Sequence, residues 1–328
     1  MPAHIRHVAL LTSGSDGPGL NACIRAVVRA AIHEQSWTVS GVVRGFGGLL
    51  RGELTALDSR SVSHIIEKGG TFLGVSPSAA FGAPKTVREA LRNLNEAAVD
   101  ALVVIGGDGS QRGAQALSAA GFPVVGVPAT IENDVCGSDE AIGADTALNT
   151  ALDALDRIKD TASSQQHAFL LELAGEKSGY QALMAGIAGG AEAVCLPEAS
   201  HSLEAIVRLV ADAYVRGKRH CIINVAQGAV PDAVAIRDHL SAHSQETGFG
   251  VELCAIAQIQ RGGVPSAHDR YLATVLGAEA VTALAEGEYG VLVGMQSGEL
   301  TRAPLSEVAG CVRTVDPADV ALARVLAQ

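Results

Sequence analysis

The chain has 328 residues, of which 48% are hydrophobic and 18% charged, and this composition excludes a long intrinsically disordered protein. Its 35 acidic and 24 basic residues give a formal net charge of −11, which argues against general electrostatic attraction to nucleic acid or to an anionic membrane. Any anionic ligand is therefore expected in a local pocket. At about 150 residues per domain, the length predicts roughly two domains.

Signals for secretion, membrane insertion and metal clustering are absent from the sequence pattern. The first residues run from a short apolar stretch into a polar glycine loop, and no apolar run approaches the length of a membrane-spanning helix. The cysteines form no C-x-x-C pair, so we expect buried, reduced thiols and a cytoplasmic location. They are Cys23, Cys136, Cys195, Cys221, Cys254 and Cys311.

Short aliphatic strands, glycine turns and amphipathic helices alternate through the first half of the chain. Apolar runs predict strands at His7–Thr12, Val39–Val43, Ala101–Ile105 and Phe122–Val127. A helical spacing of apolar residues predicts a helix over Asn21–His33. The third strand is apolar on both faces, which is typical of a parallel sheet covered by helices on each side.

The second half repeats the same alternation, with no charged or proline-rich linker before it. Helices are predicted at Ala147–Lys159, Ser178–Ala188, Leu203–Arg216 and Asp316–Leu326, and strands at His167–Leu173, Ala193–Leu196 and His220–Ala226. The pattern predicts an α/β protein with two doubly wound units. In such sheets ligands bind beyond the carboxyl ends of the strands.

Two glycine-rich loops are candidates for phosphate binding. Ser13–Gly19 precedes a helix, so its N–H groups can hold an anion, although the spacing also fits an ordinary strand–helix turn. In Gly106–Ser110 the glycines permit close approach of the backbone to phosphates, and Asp108 offers an oxygen ligand for Mg²⁺. A structural turn is the alternative here as well.

Two further segments carry charge at positions suited to catalysis. Glu132 and Asp134 follow a strand, where a carboxylate can deprotonate a hydroxyl beside a metal-bound phosphate; a solvated acidic turn is the alternative. Arg261 and Arg270 flank a glycine turn and can clamp a phosphomonoester, or they are simply surface arginines.

Together these segments resemble the bacterial 6-phosphofructokinase family from about residue 5 to residue 315. The motifs that carry the resemblance are LTSGSDGPGLNACIR (11–25), GGTFLG (69–74), ALVVIGGDGS (101–110), TIEND (130–134), IGADTAL (142–148), IQRGG (259–263) and HDRYLA (268–273). The glycine loop alone also occurs in other kinases, whereas the ordered set is specific.

The resemblance implies transfer of the γ-phosphoryl of ATP to the 1-hydroxyl of fructose 6-phosphate in glycolysis, with Mg²⁺. It also implies two Rossmann-like domains and a homotetramer, or a homodimer. By the resemblance, a larger ATP-binding domain comprises 1–143 and 269–318, and a smaller sugar-phosphate and effector domain 144–268 and 319–328. Sugar phosphate and ATP are the expected partners, and neither nucleic acid nor a membrane is expected.

The resemblance assigns roles residue by residue. The implied catalytic residues are Thr130, Glu132 and Asp134. The implied ATP-binding residues are Gly14, Ser15, Gly107, Asp108, Gly109 and Ser110, with Asp108 also the Mg²⁺ ligand. The implied substrate-binding residues are Thr130, Glu132, His167, Glu176, Gln227, Arg261, His268 and Arg270, with Arg261 reaching in from a neighbouring subunit. The implied site for ADP or phosphoenolpyruvate as effector comprises Arg25, Arg29, Glu192, Lys218 and Arg219.

Small residues favour ATP over pyrophosphate as the donor, because Gly109 and Ala129 leave room where pyrophosphate-using relatives carry Asp and Lys. Several ligand-facing positions depart from the family pattern: Ser15 for Gly, Pro77 for Arg, Glu132 for Asp, His167 for Arg, Glu176 for Arg and Gln227 for Glu. These departures keep two alternatives open, a kinase for a different sugar phosphate or polyol and a catalytically weak regulatory or partner subunit.

Overall fold

The computed structural model describes residues 5–76 and 81–327, so Pro77 lies outside the described residues. The chain divides into two units, one comprising Met1–Thr146 and Arg261–Val312 and the other Ala147–Gln260 and Arg313–Gln328. These crossings fall three, eight and six residues from those expected from the sequence, and the second one places Arg261 and His268 in the first unit. Within the described ranges, no helix is both long and apolar enough to cross a membrane.

The first unit is built on seven strands with helices on both faces. Its elements up to the first crossing are β1 (His7–Ser13), α1 (Leu20–His33), β2 (Thr38–Val42), α2 (Gly45–Arg51), β3 (Leu54–Leu57), α3 (Pro84–Glu96), β4 (Ala101–Gly106), α4 (Asp108–Ala119), β5 (Val124–Pro128) and the start of α5 (Ala144–Gln165).

The second unit follows, and the chain then returns to complete the first. The elements of the second unit are β6 (His167–Leu173), α6 (Tyr180–Gly189), β7 (Ala193–Cys195), α7 (Leu203–Val215), β8 (Cys221–Ala226), α8 (Ala233–Ala242), α9 (Ser244–Thr247), β9 (Gly250–Ala255) and α10 (Ala257–Gln260). The remaining elements are α11 (Ala267–Glu286), β10 (Val291–Gln296), β11 (Glu299–Pro304) and α12 (Leu305–Val308) in the first unit, and α13 (Pro317–Leu326) in the second.

The larger sheet is mostly parallel, in the order β11-β10-β5-β4-β1-β2-β3, with antiparallel pairing at both edges. Strand β4 lies at its centre, and all six of its residues are buried. Ala101, Val103 and Ile105 join one apolar cluster while Leu102 and Val104 join the other, because successive side chains point to opposite faces. The expectation of a parallel strand covered on both faces is confirmed.

The smaller sheet is wholly parallel, in the order β7-β8-β6-β9. Its two faces also carry separate apolar clusters, one centred on Ile223 and Val225 and the other on Leu171 and Leu173. Each unit therefore has its own core on both sides of its sheet. This arrangement confirms the doubly wound α/β fold predicted from the alternating pattern.

Two expectations from the sequence need correction. The segment predicted as a loop at Gly106–Ser110 is half helix, because α4 begins at Asp108 directly after Gly107. Cys136 and Cys311 are not reduced thiols but form a disulfide across 175 residues of sequence, since the fold brings their Cα atoms to 5.8 Å. The other cysteines are free, and burial raises the pKa of Cys195 to about 12.

Candidate active site

The loop after β1 lies against the start of α4. Gly14 has a φ of +90°, and its N–H donates to the Ser76 carbonyl at 3.2 Å. A β-carbon added at Gly14 would lie 3.4 Å from Ser110 Oγ, so the loop and the helix start are in van der Waals contact. Ser15 projects into solvent beside it. The two glycine-rich segments predicted separately from sequence are therefore neighbours.

The turn between β4 and α4 requires glycine for a steric reason. A β-carbon at Gly106 would lie 2.5 Å from Ser110 Oγ and 2.6 Å from the Ser13 carbonyl oxygen, which is closer than real side chains approach. Ser110 Oγ is buried and has no hydrogen-bond partner among the described residues. A buried hydroxyl at a helix start, facing a second glycine loop, matches the need of a phosphate oxygen.

Asp108 is the acidic residue of the first turn of α4, and it is only 7% exposed. Its Oδ1 accepts a hydrogen bond from the Gly310 N–H at 3.0 Å, and its Oδ2 lies 3.3 Å from Arg112 Nη2. These partners fix the carboxylate orientation. Among the described residues, no group of three His, Cys, Asp or Glu side chains is placed to hold a metal. Mg²⁺ needs no such cage, because it is usually held by one or two carboxylates together with substrate phosphates.

The acceptor loop, residues 129–134, follows β5 and runs beside the glycine turn. The Ala129 N–H donates to the Gly106 carbonyl at 3.1 Å. A β-carbon at Gly107 would lie 3.6 Å from Thr130 Cβ. The carboxyl ends of two paired parallel strands thus bring the glycine turn and Thr130 together, as the sequence-based rule for such sheets predicts.

Within the acceptor loop, Asn133 controls the backbone path, a role that sequence analysis missed. Its φ is +51°, and the left-handed region is one that asparagine tolerates better than most residues. Its side chain donates to the Asp139 carbonyl at 3.0 Å and accepts from the Ala141 N–H at 2.8 Å. Glu132 is half-buried and its N–H donates to Thr130 Oγ1 at 3.1 Å, while Asp134 is buried. The position of Asn133 inside TIEND was the available signal.

The basic side chains lie around the start of α11. Arg270 Nε donates to the Pro265 carbonyl at 2.9 Å. His268 Nε2 lies 3.1 Å from Glu140 Oε2, with both side chains about half exposed. Arg261 is half-buried, and its turn is pressed against the 69–74 segment, because a β-carbon at Gly69 would overlap the Gly263 carbonyl.

Asp269 is a second residue that sequence reasoning did not single out. It is fully buried between His268 and Arg270, and its carboxylate accepts from the Gly143 N–H and the Thr146 N–H, each at 2.8 Å. Burial raises the pKa of Asp269, and the hydrogen bonds from Thr146 and Gly143 act in the opposite direction. The available signal in the sequence was the pair of motifs HDR (268–270) and IGADT (142–146). A buried carboxylate needs hydrogen-bond donors, and the second motif supplies them.

In the second unit, the predicted substrate residues fall at opposite ends of the sheet. Glu176 and Gln227 follow β6 and β8, and their loops are joined by the Gln227 N–H bond to the Leu173 carbonyl at 3.0 Å. His167 is instead the first residue of β6, where its ring packs on Gly250 and its buried Nδ1 has no partner in the described part of the chain. Within this unit the structure does not bring His167 to the other two.

The predicted effector residues are distributed over both units. Arg25 and Arg29 are partly buried on α1, and Arg29 Nε is buried without a hydrogen-bond partner among the described atoms. In the second unit Glu192 accepts from Lys218 Nζ at 3.1 Å and from the Ile222 N–H at 2.6 Å. Arg219 is exposed next to this pair.

Two doubly wound units, with a glycine turn beside an acidic loop at the carboxyl ends of parallel strands, define a protein of the doubly wound α/β class with a candidate phosphate site. A family model described as Phosphofructokinase matches residues 7–284. The ATP-dependent 6-phosphofructokinase of Shouchella clausii is 43% identical over 95% of this chain and 96% of its own. The Thermus thermophilus ATP-dependent 6-phosphofructokinase 1 is 43% identical over 98% and 100%. The chain belongs to the phosphofructokinase family.

Solved structures agree with this assignment. Phosphofructokinase from Saccharomyces cerevisiae superposes with a TM-score of 0.83 at 34% identity, covering 93% of this chain and 45% of the yeast chain. This chain therefore spans less than half of that yeast chain. A pyrophosphate-dependent phosphofructokinase from Marinobacter aquaeolei, at 21% identity and a TM-score of 0.83, shares the fold. The family resemblance, the fold class and the expectation of an ATP-dependent kinase are confirmed.

Proposed function

We propose that this chain transfers the γ-phosphoryl of ATP to the 1-hydroxyl of fructose 6-phosphate, giving fructose 1,6-bisphosphate in glycolysis. One observation carries the proposal: the buried Ser110 hydroxyl, which has no hydrogen-bond partner in the described part of the chain, and the Thr130 loop both lie against the glycine turn at the carboxyl ends of β4 and β5. That is a phosphate cradle beside an acceptor loop. The relatives at 43% identity, all named ATP-dependent 6-phosphofructokinases, support the choice of donor and acceptor.

The donor side is formed by backbone rather than by long side chains. Gly14 and Gly106 lie against the buried Ser110 hydroxyl, with Ser15 and Gly107–Gly109 next to them along the chain, and N–H groups at the start of α4 favour anionic oxygens. Gly109 and Ala129 are small, which supports a nucleotide over pyrophosphate. Asp108 would hold Mg²⁺ together with the phosphates, and the ion would neutralise charge on the transferred group. A nearly buried carboxylate with both oxygens oriented fits that role.

On the acceptor side, Glu132 acts as the base that takes the proton of the sugar hydroxyl. Its backbone is held to Thr130 Oγ1, so the carboxylate and the threonine are presented on one short turn. Asp134, buried two residues further on, places a second carboxyl group in this turn. Because catalysis in this reaction class depends on positioning and electrostatics, the loop path that Asn133 sets decides where the longer glutamate side chain places its carboxylate.

Sugar-phosphate binding is assigned to Arg261, His268 and Arg270 in the first unit and to His167, Glu176 and Gln227 in the second. The position of His167 at the amino end of β6 supports its service to the site of a neighbouring copy, as Arg261 is expected to do. A homotetramer, or a homodimer, follows from this sharing. We assign ADP or phosphoenolpyruvate to Arg25, Arg29, Glu192, Lys218 and Arg219, and we place the enzyme in the cytoplasm.

A second candidate function is phosphorylation of another sugar phosphate or polyol. The exposed Glu176 favours it, because a carboxylate at a position the family gives to arginine repels a phosphate and suits a hydroxyl-rich acceptor. Gln227 keeps hydrogen bonding but no charge. The two candidates share the donor site and differ in the acceptor alone.

The deciding experiment measures ADP release by the purified protein with Mg-ATP, alone and with fructose 6-phosphate, other sugar phosphates and polyols. The proposal expects strong stimulation by fructose 6-phosphate. Stimulation by a different acceptor only would select the second candidate. No stimulation by any acceptor would contradict both and would identify a catalytically weak regulatory or partner subunit.

A further inference from the structure

Asp269 connects the two halves of the acceptor site, although the proposed function gives it no role. Its Oδ1 accepts from the Gly143 N–H at 2.8 Å, and its Oδ2 accepts from the N–H and hydroxyl of Thr146 at 2.8 and 2.5 Å. The side chain is 0% exposed, so none of these bonds is exchanged with bulk water. A buried carboxylate with donors to both oxygens is a rigid connection.

One end of the connection leads to the acceptor loop. Gly143 follows Ile142, whose carbonyl accepts the Thr130 N–H at 3.0 Å and whose N–H donates to the Pro128 carbonyl at 3.1 Å. Ile142 therefore lies alongside residues 128–130, and a shift of the neighbouring Gly143 is transmitted to Thr130 through Ile142.

The other end leads to the basic residues. Asp269 lies in the first turn of α11 between His268 and Arg270. The two helix starts are also joined in the reverse direction, because Ser266, the N-cap of α11, donates its N–H to Thr146 Oγ1 at 2.9 Å. Gly143 and Thr146 lie at the start of α5, where N–H groups lack partners within the helix. The carboxylate of Asp269, which belongs to another helix, accepts hydrogen bonds from both of these N–H groups.

We propose that Asp269 is a positioning residue that sets the distance between the acceptor loop and the phosphate-binding residues of α11. The inference rests on the proposed function, since it concerns the same acceptor. Asp269 lies near Gly19, at the end of the first glycine loop, whereas Gly14 is held by Ser76 and the Gly106 turn by the pairing of β1 with β4. Fructose 6-phosphate binding is therefore affected much more than ATP binding. Substitution of a residue that merely stabilised the fold would change the binding of both substrates or of neither.

The test is steady-state kinetics of the full-length enzyme for both substrates. For Asp269→Asn we expect the KM for fructose 6-phosphate to rise on the order of 10-fold or more, because an amide N–H₂ faces a donor and the loop shifts. The KM for ATP is expected to stay within about twofold. Thr146→Val, which loses only the hydroxyl, should show a smaller rise in the same KM, and Thr146→Ser should restore it.

Unchanged KM values in both Asp269→Asn and Thr146→Val, or equal rises for the two substrates, would overturn the inference. If Asp269→Asn does not fold, the Thr146→Val and Thr146→Ser pair decides, because the N–H bonds to the carboxylate remain in both. Failure of the wild-type enzyme to phosphorylate fructose 6-phosphate is a separate result, which contradicts the proposed function itself.

An independent observation concerns the disulfide of Cys136 and Cys311, which joins two segments of the proposed donor and acceptor sites. Cys136 follows the acceptor loop by two residues. Cys311 follows Gly310, whose N–H donates to Asp108 Oδ1 at 3.0 Å. Beside the disulfide, Val135 and Val312 pair as an isolated antiparallel bridge. Cys311 is exposed and Cys136 is half-buried, so a reductant can reach the bond.

We infer that this disulfide is a thiol–disulfide switch that acts on Asp108, again within the proposed function. A dithiol reductant attacks Cys311 Sγ with one thiolate, the Sγ–Sγ bond breaks, and Cys136 leaves as a thiolate that takes a proton. The second thiol of the reductant then attacks the mixed disulfide and releases Cys311 as a thiol. Two electrons and two protons pass to the protein, and the reductant becomes a disulfide.

Reduction frees the 310–312 segment from Cys136 and loosens the Gly310 contact that orients the Asp108 carboxylate. Because hydrogen bonds that orient a ligating carboxylate tune its affinity for the metal, the KM for Mg-ATP is expected to rise several-fold, up to about 10-fold, on reduction. The other thiols do not compete for this chemistry readily, because burial raises the pKa of Cys23, Cys195 and Cys221.

The test combines a count of free thiols with kinetics of oxidised and dithiothreitol-reduced enzyme. We expect four free thiols in the unfolded oxidised chain and six after reduction. Cys311→Ser should match the reduced enzyme and lose its redox response, whereas Cys254→Ser should keep it. Six free thiols after treatment with an oxidised dithiol, or an identical KM for Mg-ATP in the two redox states, would overturn the inference.

Discussion

Glu132 shows how much a single residue can change in this site. Its carboxylate lies one methylene further from the backbone than that of the aspartate expected from the family resemblance. Its backbone N–H donates to Thr130 Oγ1. The loop around it is fixed by Asn133, which bonds to two backbone groups across the turn. With the loop backbone held in this way, the length of the Glu132 side chain decides where its carboxylate lies, and substitutions at this position test its effect.

For Glu132→Gln we expect kcat to fall by on the order of 100-fold or more, because the amide cannot accept the proton of the sugar hydroxyl. The affinity for ATP should stay near that of the wild type, since the donor loops are untouched. Rates of ADP release measure kcat, and isothermal titration with Mg-ATP measures the affinity for ATP. An unchanged kcat would remove Glu132 from the role of base.

Glu132→Asp is the matched change, because it keeps the carboxylate and shortens the arm. A faster rate with fructose 6-phosphate would mean that the longer glutamate side chain slows the reaction with this acceptor. A slower rate would mean that the loop of this chain is adapted to the longer side chain.

At the scale of elements, helix ends and buried helix faces carry separable amounts of stability. Helix α8 begins after Asp232, whose Oδ1 accepts the Ala235 N–H at 2.7 Å. Helix α5 buries Leu155, which is 0% exposed and lies against Gly189 of α6. The first contact is a cap at the surface and the second is core packing, so their substitutions should differ in size.

Asp232→Ala should lower the free energy of unfolding by about 1 kcal/mol, because the side-chain acceptor for an otherwise unpaired N–H is lost. Asp232→Asn and Asp232→Ser keep an acceptor and should cost less. Urea unfolding followed by circular dichroism measures the difference. A loss in the asparagine variant equal to that in alanine would show that charge, not capping, is responsible.

Leu155→Ala should lower the free energy of unfolding by about 2–5 kcal/mol, since it removes buried methyl groups and leaves a cavity between α5 and α6. The control is Leu322→Ala on α13, where the side chain is 45% exposed and the expected loss is a fraction of that. Equal losses in the two variants would contradict the core assignment of Leu155.

At the scale of the whole molecule, we propose that the site is shared between copies of the chain. Asp108 and Arg261 both belong to the first unit, and by the proposal Asp108 serves its own site and Arg261 that of a neighbour. Inactivating each in separate chains therefore separates the two contributions.

Mixing Asp108→Ala and Arg261→Ala chains, after dissociation and reassembly, should restore about a quarter of wild-type activity, because one site in four combines both intact residues. Each variant alone should be nearly inactive. The mixture is compared with each variant reassembled alone, by ADP release at saturating substrates. An inactive mixture would place both residues in the same chain's site and contradict the shared-site proposal.

Local patterns were enough to predict most of the elements that carry the site. The ALVVI run predicted a strand buried on both faces, and the following glycines predicted the turn, because both depend on neighbours in sequence. The alternation of strands and helices predicted the doubly wound class. Short connecting elements such as α2, β3 and α12 were not predicted, since their formation depends on packing against distant segments. The longer helices α3, α8 and α11 and the strands β9, β10 and β11 were not predicted either.

The sequence by itself determined the family, the two α/β units and the loops that hold the candidate residues, because these follow from local periodicity and ordered motifs. Only the tertiary structure decided that Asp269 joins α11 to the start of α5, that Cys136 meets Cys311, and that His167 stands at the other end of its sheet from Glu176. Each of these facts pairs residues far apart along the chain or fixes a side chain to one end of a strand. Such distances are set by how strands and helices pack, which no local pattern records.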